Sequence, residues 1–399
     1  MISAKQRKIL AFPYSRYDAI ICDGAVRSGK TSIMSVAFVD WAMKNFAGQR
    51  FGICGKTVDS AVKNIVVPYL SMAYAKRRYR LKWRRSDKVL EVSRDGVTNY
   101  FEVFGGKDES SFALIQGRTL AGVLLDEVAL MPESFVNQAL ARCSVDGARL
   151  WFSCNPANPR HWFYQEWISQ PEKHNALYLR FAMEDNPILS ERTLERYRSM
   201  YSGVFYQRYV LGHWVAAEGL VYPMFDEDRH GIEDKGGGGR YFIAVDYGTM
   251  NPTAAGLWRL TPKGAVMVRE YYYDGRATKR PRTDEEHYQA IEQLAAGVSV
   301  ERVIVDPSAA SFLECIRRHG RFDVWKADNS VLDGIRLTAS LLQQGKLLFD
   351  RSCVRTVEEF QSYVWDEEAE DDAPRKESDH SMDQMRYFVN TVMRREMRG

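Results

Sequence analysis

No run of about 18 apolar residues occurs anywhere in the 399-residue sequence, so no transmembrane helix is expected. The N-terminal stretch MISAKQRKIL is basic but lacks the apolar core of a signal peptide, and secretion is not expected either. Cysteine is sparse and scattered: Cys22, Cys54, Cys143, Cys154, Cys315 and Cys353 include no close pair at metal-ligand spacing. That distribution fits a reduced cytosolic protein without structural disulfides or zinc. Internal repeats and long low-complexity tracts are also missing. Charge of one sign is missing in sum, because 55 Lys and Arg against 52 Asp and Glu give +3. A balance so near zero argues neither for nor against a nucleic-acid partner.

The distribution of charge says more than its sum. Lys76 to Lys88 (KRRYRLKWRRSDK) carries eight bases and one acid, whereas Asp366 to Asp372 (DEEAEDD) carries six acids and no base. The neutral total is a cancellation of opposed patches. The basic run interleaves Tyr79 and Trp83 with its cations, a pattern suited to sequence-independent, salt-dependent contact with phosphates, or to a solvated helix face. Arg276 to Arg282 (RATKRPR) is a second basic candidate. The acidic run is expected as a solvated loop, or as a segment that repels DNA.

At roughly 100–200 residues per domain the length predicts two domains. In the first half, short apolar strands alternate with helical patterns: Asp18 to Asp23, Arg50 to Cys54, Val97 to Phe104, Gly122 to Leu125 and Leu150 to Ser153. This implies a mostly parallel sheet covered on both faces. A continuous helix is expected over Glu191 to Tyr209. Four consecutive glycines, Gly236 to Gly239, mark a loop with the domain boundary near it. Beyond it, Tyr241 to Val245, Ala254 to Arg259 and Ala265 to Tyr273 predict a three-strand meander. Helix and strand then alternate, ending in a helix over Ser381 to Arg395.

Two motifs in the first half carry chemistry. Gly24-Ala-Val-Arg27-Ser28-Gly29-Lys30-Thr31 follows a strand and opens a helix, as a phosphate-binding loop must. Glycines let backbone N–H groups face phosphates, and the helix N-terminus adds positive potential. Lys30 is then expected on the β- and γ-phosphates and Thr31 on Mg²⁺. The strand Val123-Leu-Leu-Asp126-Glu127 ends in two acids, of which Asp126 suits the Mg²⁺ shell and Glu127 the activation of water. Together they predict an ATPase. The strand Leu150 to Ser153 runs into Cys154-Asn155-Pro156, where a polar end beside the nucleotide can sense hydrolysis. Arg27 and Arg142 are candidates for stabilising transition-state charge.

The second half carries carboxylates instead. Asp246 ends the strand YFIAVD and Asp306 ends RVIVD, while His380 and Asp383 share one face of the last helix. Asp379 stands beside them as a further ligand or a helix cap. Such a set can converge on a pair of Mg²⁺ or Mn²⁺ ions that clamp both oxygens of a phosphodiester displacement. Carboxylates at two strand ends and on a helix converging in this way follow the logic of RNase H-like nucleases, whose sheet also begins with three sequential strands. Glu270, on the third strand, is an outer ligand or an exposed sheet residue.

An ATPase with an arginine-containing phosphate loop followed by such a nuclease resembles the large terminase subunit of tailed phages. Ser3-Ala-Lys-Gln6 resembles that family's adenine-side glutamine motif, Leu124 to Glu127 its acidic motif and Ser153 to Pro156 its coupling motif. Glu184 to Pro187 with Phe205 to Trp214 resembles the region joining the domains, and Asp379 to Tyr387 the C-terminal nuclease motif. The resemblance implies an α/β protein: an ASCE-type P-loop ATPase domain with a mainly parallel sheet over 1–180, a linker or subdomain over 181–239, and an RNase H-like mixed-sheet nuclease over 240–399. It implies ATP with Mg²⁺ at Gln6, Gly24, Arg27, Ser28, Gly29, Lys30, Thr31, Asp126 and Asn155, with Glu127 catalytic. It further implies two Mg²⁺ or Mn²⁺ at Asp246 and Asp306, with His380, Asp383 or Asp379 as third ligand; a histidine there favours Mn²⁺.

By the same resemblance the chain translocates double-stranded DNA into a procapsid and cuts it into genome units. Its partners are then the portal protein, a small terminase subunit and further copies of itself in a ring, a pentamer. Its place is the host cytoplasm and, transiently, the portal vertex, with none in the mature virion. Two other classes compete: an ATP-dependent helicase or repair nuclease without a capsid, and an ATP-binding regulator whose second half only binds nucleic acid. A helicase of related type carries a second motor-like domain, and one phosphate loop is found. A regulator has no need of Asp246 and Asp306 together.

Overall fold

The computed structural model describes residues 2–201, 203–369 and 371–397. The chain divides into two compact units. The first comprises Met1–Glu195 and Tyr206–Ala216, the second Arg196–Phe205 and Ala217–Gly399. Residues 181–239, expected to form a joining piece, make no third unit but are shared between these two, and the divide falls at Ala216 rather than at the four glycines. Gly236–Gly239 lies inside the second unit, because residues on both sides of that loop belong to one sheet.

In the first unit an eight-stranded sheet is built from β1 (Ala19–Gly24), β2 (Arg50–Gly55), β3 (Arg80–Arg84), β4 (Val89–Arg94), β5 (Val97–Gly105), β6 (Gly122–Asp126), β7 (Arg149–Ser153) and β8 (Ala176–Phe181), in the order β3-β4-β5-β2-β6-β7-β1-β8. From β5 to β8 neighbours run parallel, and β1 is buried along its whole length. Parallel strands buried on both faces need apolar side chains pointing both ways. Ile20, Phe38, Phe51, Phe101, Leu124 and Trp151 pack one face, and Ile21, Val123, Leu125, Phe135 and Phe152 the other.

The antiparallel β3 and β4 extend one edge of this sheet. They take in the basic run, which is not a helix face: Ala73–Arg78 is a short helix and Arg80–Arg84 an edge strand. Alternation in RLKWR fits the pleat, and charged side chains on an edge strand oppose pairing with another chain. Part of the charge is answered locally, by Arg84 with Glu91 at 2.6 Å and Arg78 with Asp40 at 3.7 Å.

A seven-stranded mixed sheet forms the second unit, ordered β14-β13-β10-β11-β12-β15-β9. Its strands are β9 (Gly231–Ile232), β10 (Arg240–Asp246), β11 (Thr253–Thr261), β12 (Gly264–Tyr273), β13 (Val300–Val305), β14 (Val324–Lys326) and β15 (Leu347–Asp350). β10, β11 and β12 form the antiparallel meander, and β13 joins β10 in parallel. Helices Asp284–Leu294 and Ala310–His319 cover one face through Ile243, Val245, Leu257, Ile291 and Ile316. Helix His380–Phe388 covers the other, where Phe388 stacks on Trp258 with centroids 4.6 Å apart and Gln384 accepts from the Trp258 indole at 3.1 Å.

The helix expected over Glu191 to Tyr209 is two helices, Glu191–Met200 and Gly203–Tyr209. Gly203 has φ 53°, a left-handed backbone that interrupts the helix. Within the acidic run, Glu370 lies outside the described residues. Asp366 donates its N–H to the Ala373 carbonyl at 2.8 Å, and Trp365 bridges Pro374.

Candidate functional sites

The first site forms where β1 ends. Gly24 has φ 124°, and a Cβ there would lie 2.0 Å from the Phe181 carbonyl oxygen of the neighbouring strand, so only glycine lets the chain turn at this point. Gly29, at φ 81°, then leads into helix Lys30–Asn45. Arg27 is also left-handed, at φ 58°, and its exposed side chain stands at the tip of the loop. The Asn186 side-chain amide holds the Arg27 carbonyl at 2.7 Å. Ala25 N–H donates to Phe181 and Val26 N–H to Tyr209, which fixes the loop from beneath.

Lys30 is buried, and its ammonium donates to the carbonyls of Gly24 (3.0 Å) and Ala25 (2.8 Å), to Ser28 Oγ (3.3 Å) and to Asn155 Oδ1 (3.2 Å). Burial lowers its pKa, opposed by the charges of nearby Asp23 and Asp126. Thr31 Oγ1 donates to Asp126 Oδ1 at 2.9 Å and lies 3.3 Å from Ser153 Oγ, while Asn64 donates to Asp126 Oδ2 at 3.3 Å. Burial raises the Asp126 pKa despite these donors. Glu127, at φ 58°, turns the chain sharply after β6.

A cleft of about 490 Å³ is lined by Arg27, Lys30, Thr31, Asp126, Glu127 and Asn155. Ser28 and Gly29 line it too, while Gly24, Gln6 and Arg142 do not. Gln6 closes a capping box with Ser3, and its Nε2 would meet a Cβ on Gly29 at 2.8 Å, so it braces the loop from behind. Arg142 follows helix Glu133–Ala141.

Nothing local in the sequence marks Asn64, Asn186 or Trp214 as part of this site. The Trp214 indole donates to Asp23 Oδ2 at 2.6 Å, beneath the loop. The buried Asp23 carboxyl has its pKa raised by burial. No short-range pattern links positions 23 and 214; only the fold does.

The second site lies at the ends of β10 and β13. Asp246, Asp306, Asp379, His380, Asp383 and Tyr387 line one cleft of about 890 Å³. His380 Nδ1 lies 2.8 Å from Asp246 Oδ2. The Tyr387 hydroxyl sits between the two strand-end acids, 3.3 Å from Asp246 Oδ1 and 3.1 Å from Asp306 Oδ2. Burial pushes the Asp246 carboxyl up to about 6, and the negative charges of Asp383 and Asp306 add to the shift. Burial would lower the His380 pKa, but the Asp246 hydrogen bond and surrounding acids outweigh it and raise it.

Asp383 is tied to Arg386 at 2.8 Å, and Arg386 in turn donates to the Asn329 carbonyl at 2.6 Å. Tyr387 closes the terminal motif, and its place one turn beyond Asp383 on the same helix face is the spacing that could have marked it.

Three expectations need correction. Asp379 occupies the N-cap position, but its side chain makes no cap hydrogen bond; Glu359 Oε2 caps this helix instead, accepting from Ser381 N–H (2.7 Å) and Met382 N–H (3.2 Å). Glu270 is neither a ligand nor merely exposed. It caps helix Val354–Ser362, accepting from Arg355 N–H at 2.8 Å, Thr356 N–H at 3.0 Å and Thr356 Oγ1 at 2.9 Å. The acidic run is not simply a solvated loop, because Asp372 lines the second cleft. From the basic loop, Arg276 lines that cleft as well, whereas Arg280 pairs with Glu286 at 2.6 Å.

Fold and sites together define an α/β protein with a P-loop ATPase-type unit followed by an RNase H-like nuclease-type unit. The family model for the T4likevirus-type terminase large subunit, N-terminal, matches residues 21–229. The chain belongs to the family of phage terminase large subunits. It is similar to the large terminase of a thermophilic bacteriophage, with 49% identity, a TM-score of 0.93 and coverage of 98% of this chain and 99% of that one. The structure of that thermophilic phage's terminase in complex with ADP is similar at 48% identity and TM-score 0.91, over 98% of this chain and all of that one (100%). The terminase large subunit of Escherichia phage T5 is 27% identical over 225 residues, 53% of this chain. The match spans 50% of the T5 protein's length.

Proposed function

We propose that this chain is a viral DNA-packaging motor: ATP hydrolysis in its first unit drives double-stranded DNA into a procapsid, and a divalent-metal endonuclease in its second cuts the concatemer into genome units. One observation carries this reading. A single chain of the terminase family holds both a phosphate-loop lysine clustered with Thr31 and Asp126 and a separate strand-end pair of aspartates. The thermophilic-phage relative's complexes with ADP and ATP-γ-S support a nucleotide at the first site.

The first site fits a magnesium nucleotide. Lys30 Nζ satisfies itself on loop carbonyls, oxygens that exchange readily for phosphate oxygens. Asp126 and Thr31 present the oxygen donors that Mg²⁺ prefers. Bound ATP–Mg²⁺ supplies the phosphoanhydride bond and the charge that orders these donors. Glu127 accepts the proton of the attacking water on its carboxylate, Arg27 counters charge developing on the phosphates, and Asn155 links their state to β7 through Lys30. Arg142 is assigned to a neighbouring copy's nucleotide. Gln6 holds the loop against the adenine side.

The second site fits divalent cations. Several carboxylates share one cleft, and Asp246, whose pKa is raised first by burial and then by Asp383 and Asp306, is an acid that a bound cation would help to ionise. Asp246 and Asp306 would hold it, with Asp383 as third ligand and His380 orienting Asp246 through Nδ1. Mg²⁺ or Mn²⁺, when bound, supplies Lewis-acid polarisation of the scissile phosphate. Tyr387 keeps the two aspartates in register. The exposed Lys76, Arg77, Arg80 and Arg85 give the first unit a phosphate-binding edge. Portal protein, a small terminase subunit and a pentameric ring of this chain complete the machine, in the host cytoplasm and at the portal vertex.

Mutation separates the two activities. Lys30→Ala or Glu127→Ala is expected to abolish ATP turnover, which falls by about 10²-fold or more when such a group is lost, yet to leave metal-dependent plasmid nicking intact. Asp246→Ala is expected to do the reverse, and unchanged cleavage in that variant under Mg²⁺ and Mn²⁺ would refute the metal site. ATP-driven DNA uptake by purified procapsids tests the motor itself, because a repair nuclease gives none.

A further inference from the structure

Three potential ligands for a soft metal meet on the outer side of the second unit, on elements that neither site uses. Cys315 and His319 lie one turn apart on helix Ala310–His319, hence on one face. Glu285 faces them from the first turn of helix Asp284–Leu294. The Cys315 thiol donates to Glu285 Oε1 at 3.6 Å, and His319 Nε2 lies 2.8 Å from Glu285 Oε2. One ligand atom from each residue falls within 4.8 Å of the other two.

We propose that Glu285, Cys315 and His319 form a binding site for a thiophilic divalent transition metal of the Zn²⁺ class. Tetrahedral zinc, with bonds of about 2.0–2.3 Å, sets its ligand atoms roughly 3.5 Å apart, so small side-chain rotations close the site. Thiolate with imidazole selects such a metal over Mg²⁺ or Ca²⁺. The His319 ring is already held in place by stacking on Tyr288, with centroids 3.8 Å apart and planes 8° from parallel. The C-terminus of the cysteine-bearing helix and the acidic side chains that face it favour a cation at this point. His319 stands at a helix C-terminus, where backbone carbonyls carry partial negative charge, and Asp284, Glu285 and Glu286 supply formal negative charge. The pairing of Glu285 with His319 is not sufficient reason for the arrangement, because side chains 63% and 38% exposed gain little from an ion pair.

Binding releases the thiol proton of Cys315 to solvent and breaks the His319–Glu285 hydrogen bond, and His319 coordinates through Nε2 as the neutral imidazole with its proton on Nδ1. Water fills the fourth position. The metal would staple two helices whose contact also supports the nuclease strand. Tyr247, next to Asp246, stacks on Phe312 of the cysteine-bearing helix at 4.7 Å and donates its hydroxyl to Asp284, beside Glu285. In sequence the site is invisible, since its glutamate lies 30 residues before its cysteine and no second cysteine is near.

The test titrates Co²⁺ into the full-length protein after chelator treatment, with excess Mg²⁺ present to occupy the carboxylate clefts. One equivalent is expected to give a sulfur-to-cobalt charge-transfer band that Zn²⁺ then bleaches. Cys315→Ser should abolish the band and Cys143→Ser should leave it. The surface changes Glu285→Gln and His319→Gln, which spare the core, should each weaken Co²⁺ binding by about tenfold or more. A protein that gives no band overturns the proposal, as does a band that persists in Cys315→Ser. Unchanged affinity in both Glu285→Gln and His319→Gln overturns it too, even if Cys315→Ser fails to fold.

Discussion

Asp246 shows how a buried acid records the ligand it is built for. The residue is 9% exposed, and its carboxyl shares the Tyr387 hydroxyl with Asp306 and is raised from 3.8 to about 6, chiefly by burial. In metal-free protein the folded state therefore holds this proton more tightly than the unfolded chain does. The resulting stability is fully present below about pH 4 and is lost as pH rises through about 6, an amount of about 3 kcal/mol. Urea denaturation in chelator from about pH 4 to 7 is expected to show a smaller loss in Asp246→Asn than in the native sequence, the remainder coming from Glu359 and His380, whose pKa values are also raised. Divalent cations bind the ionised carboxylate, so their affinity moves the opposite way and grows across the same window.

The helix that carries His380, Asp383 and Tyr387 depends on a partner from another helix. Its first free N–H groups, at Ser381 and Met382, are met by Glu359 rather than by a residue of its own cap. Glu359→Ala removes that acceptor and is expected to cost about 1–2 kcal/mol in chemical denaturation. Glu359→Gln keeps an oxygen in place and should recover most of it. Plasmid cleavage should fall with Glu359→Ala while ATP turnover holds. Elements of this kind divide sharply in how far a sequence announces them. Strands β1, β6 and β10 end in Gly or Asp and β13 is followed at once by Asp306, and their chemistry sits where the strand stops. His380 and Asp383 follow from helical spacing alone. Glu359 and Trp214 do not, because their partners lie 22 and 191 residues away, and nothing local encodes such a pairing. The run Arg80 to Arg84 misleads for a different reason: charge dominates its composition, while its place at a sheet edge is set by pairing with β4. Gly203 likewise breaks a helix that the flanking residues would otherwise continue.

Two separate cores, each around its own sheet, mean that a ligand of one unit need not stabilise the other. Lys30, Thr31, Asp126 and Asn155 all belong to the first unit, and Asp246, Asp306 and Asp383 to the second. A ligand that binds only the folded state adds stability as RT ln(1 + [L]/Kd), about 2.7 kcal/mol at a hundredfold excess over Kd. That free energy enters where the contacts are made and spreads only as far as opening is cooperative. Hydrogen exchange measured by mass spectrometry with saturating ATP-γ-S and Mg²⁺ is therefore expected to slow peptides spanning Val26–Ser32 and Ser153–Asn155. Peptides from β10 and helix His380–Phe388 should be unchanged. Protection of equal size in both units would show that the two cores open as one, so that nucleotide binding reaches the nuclease cleft through global stability rather than through any local path. In Lys30→Ala the first-unit protection should vanish, which ties the effect to the phosphate loop.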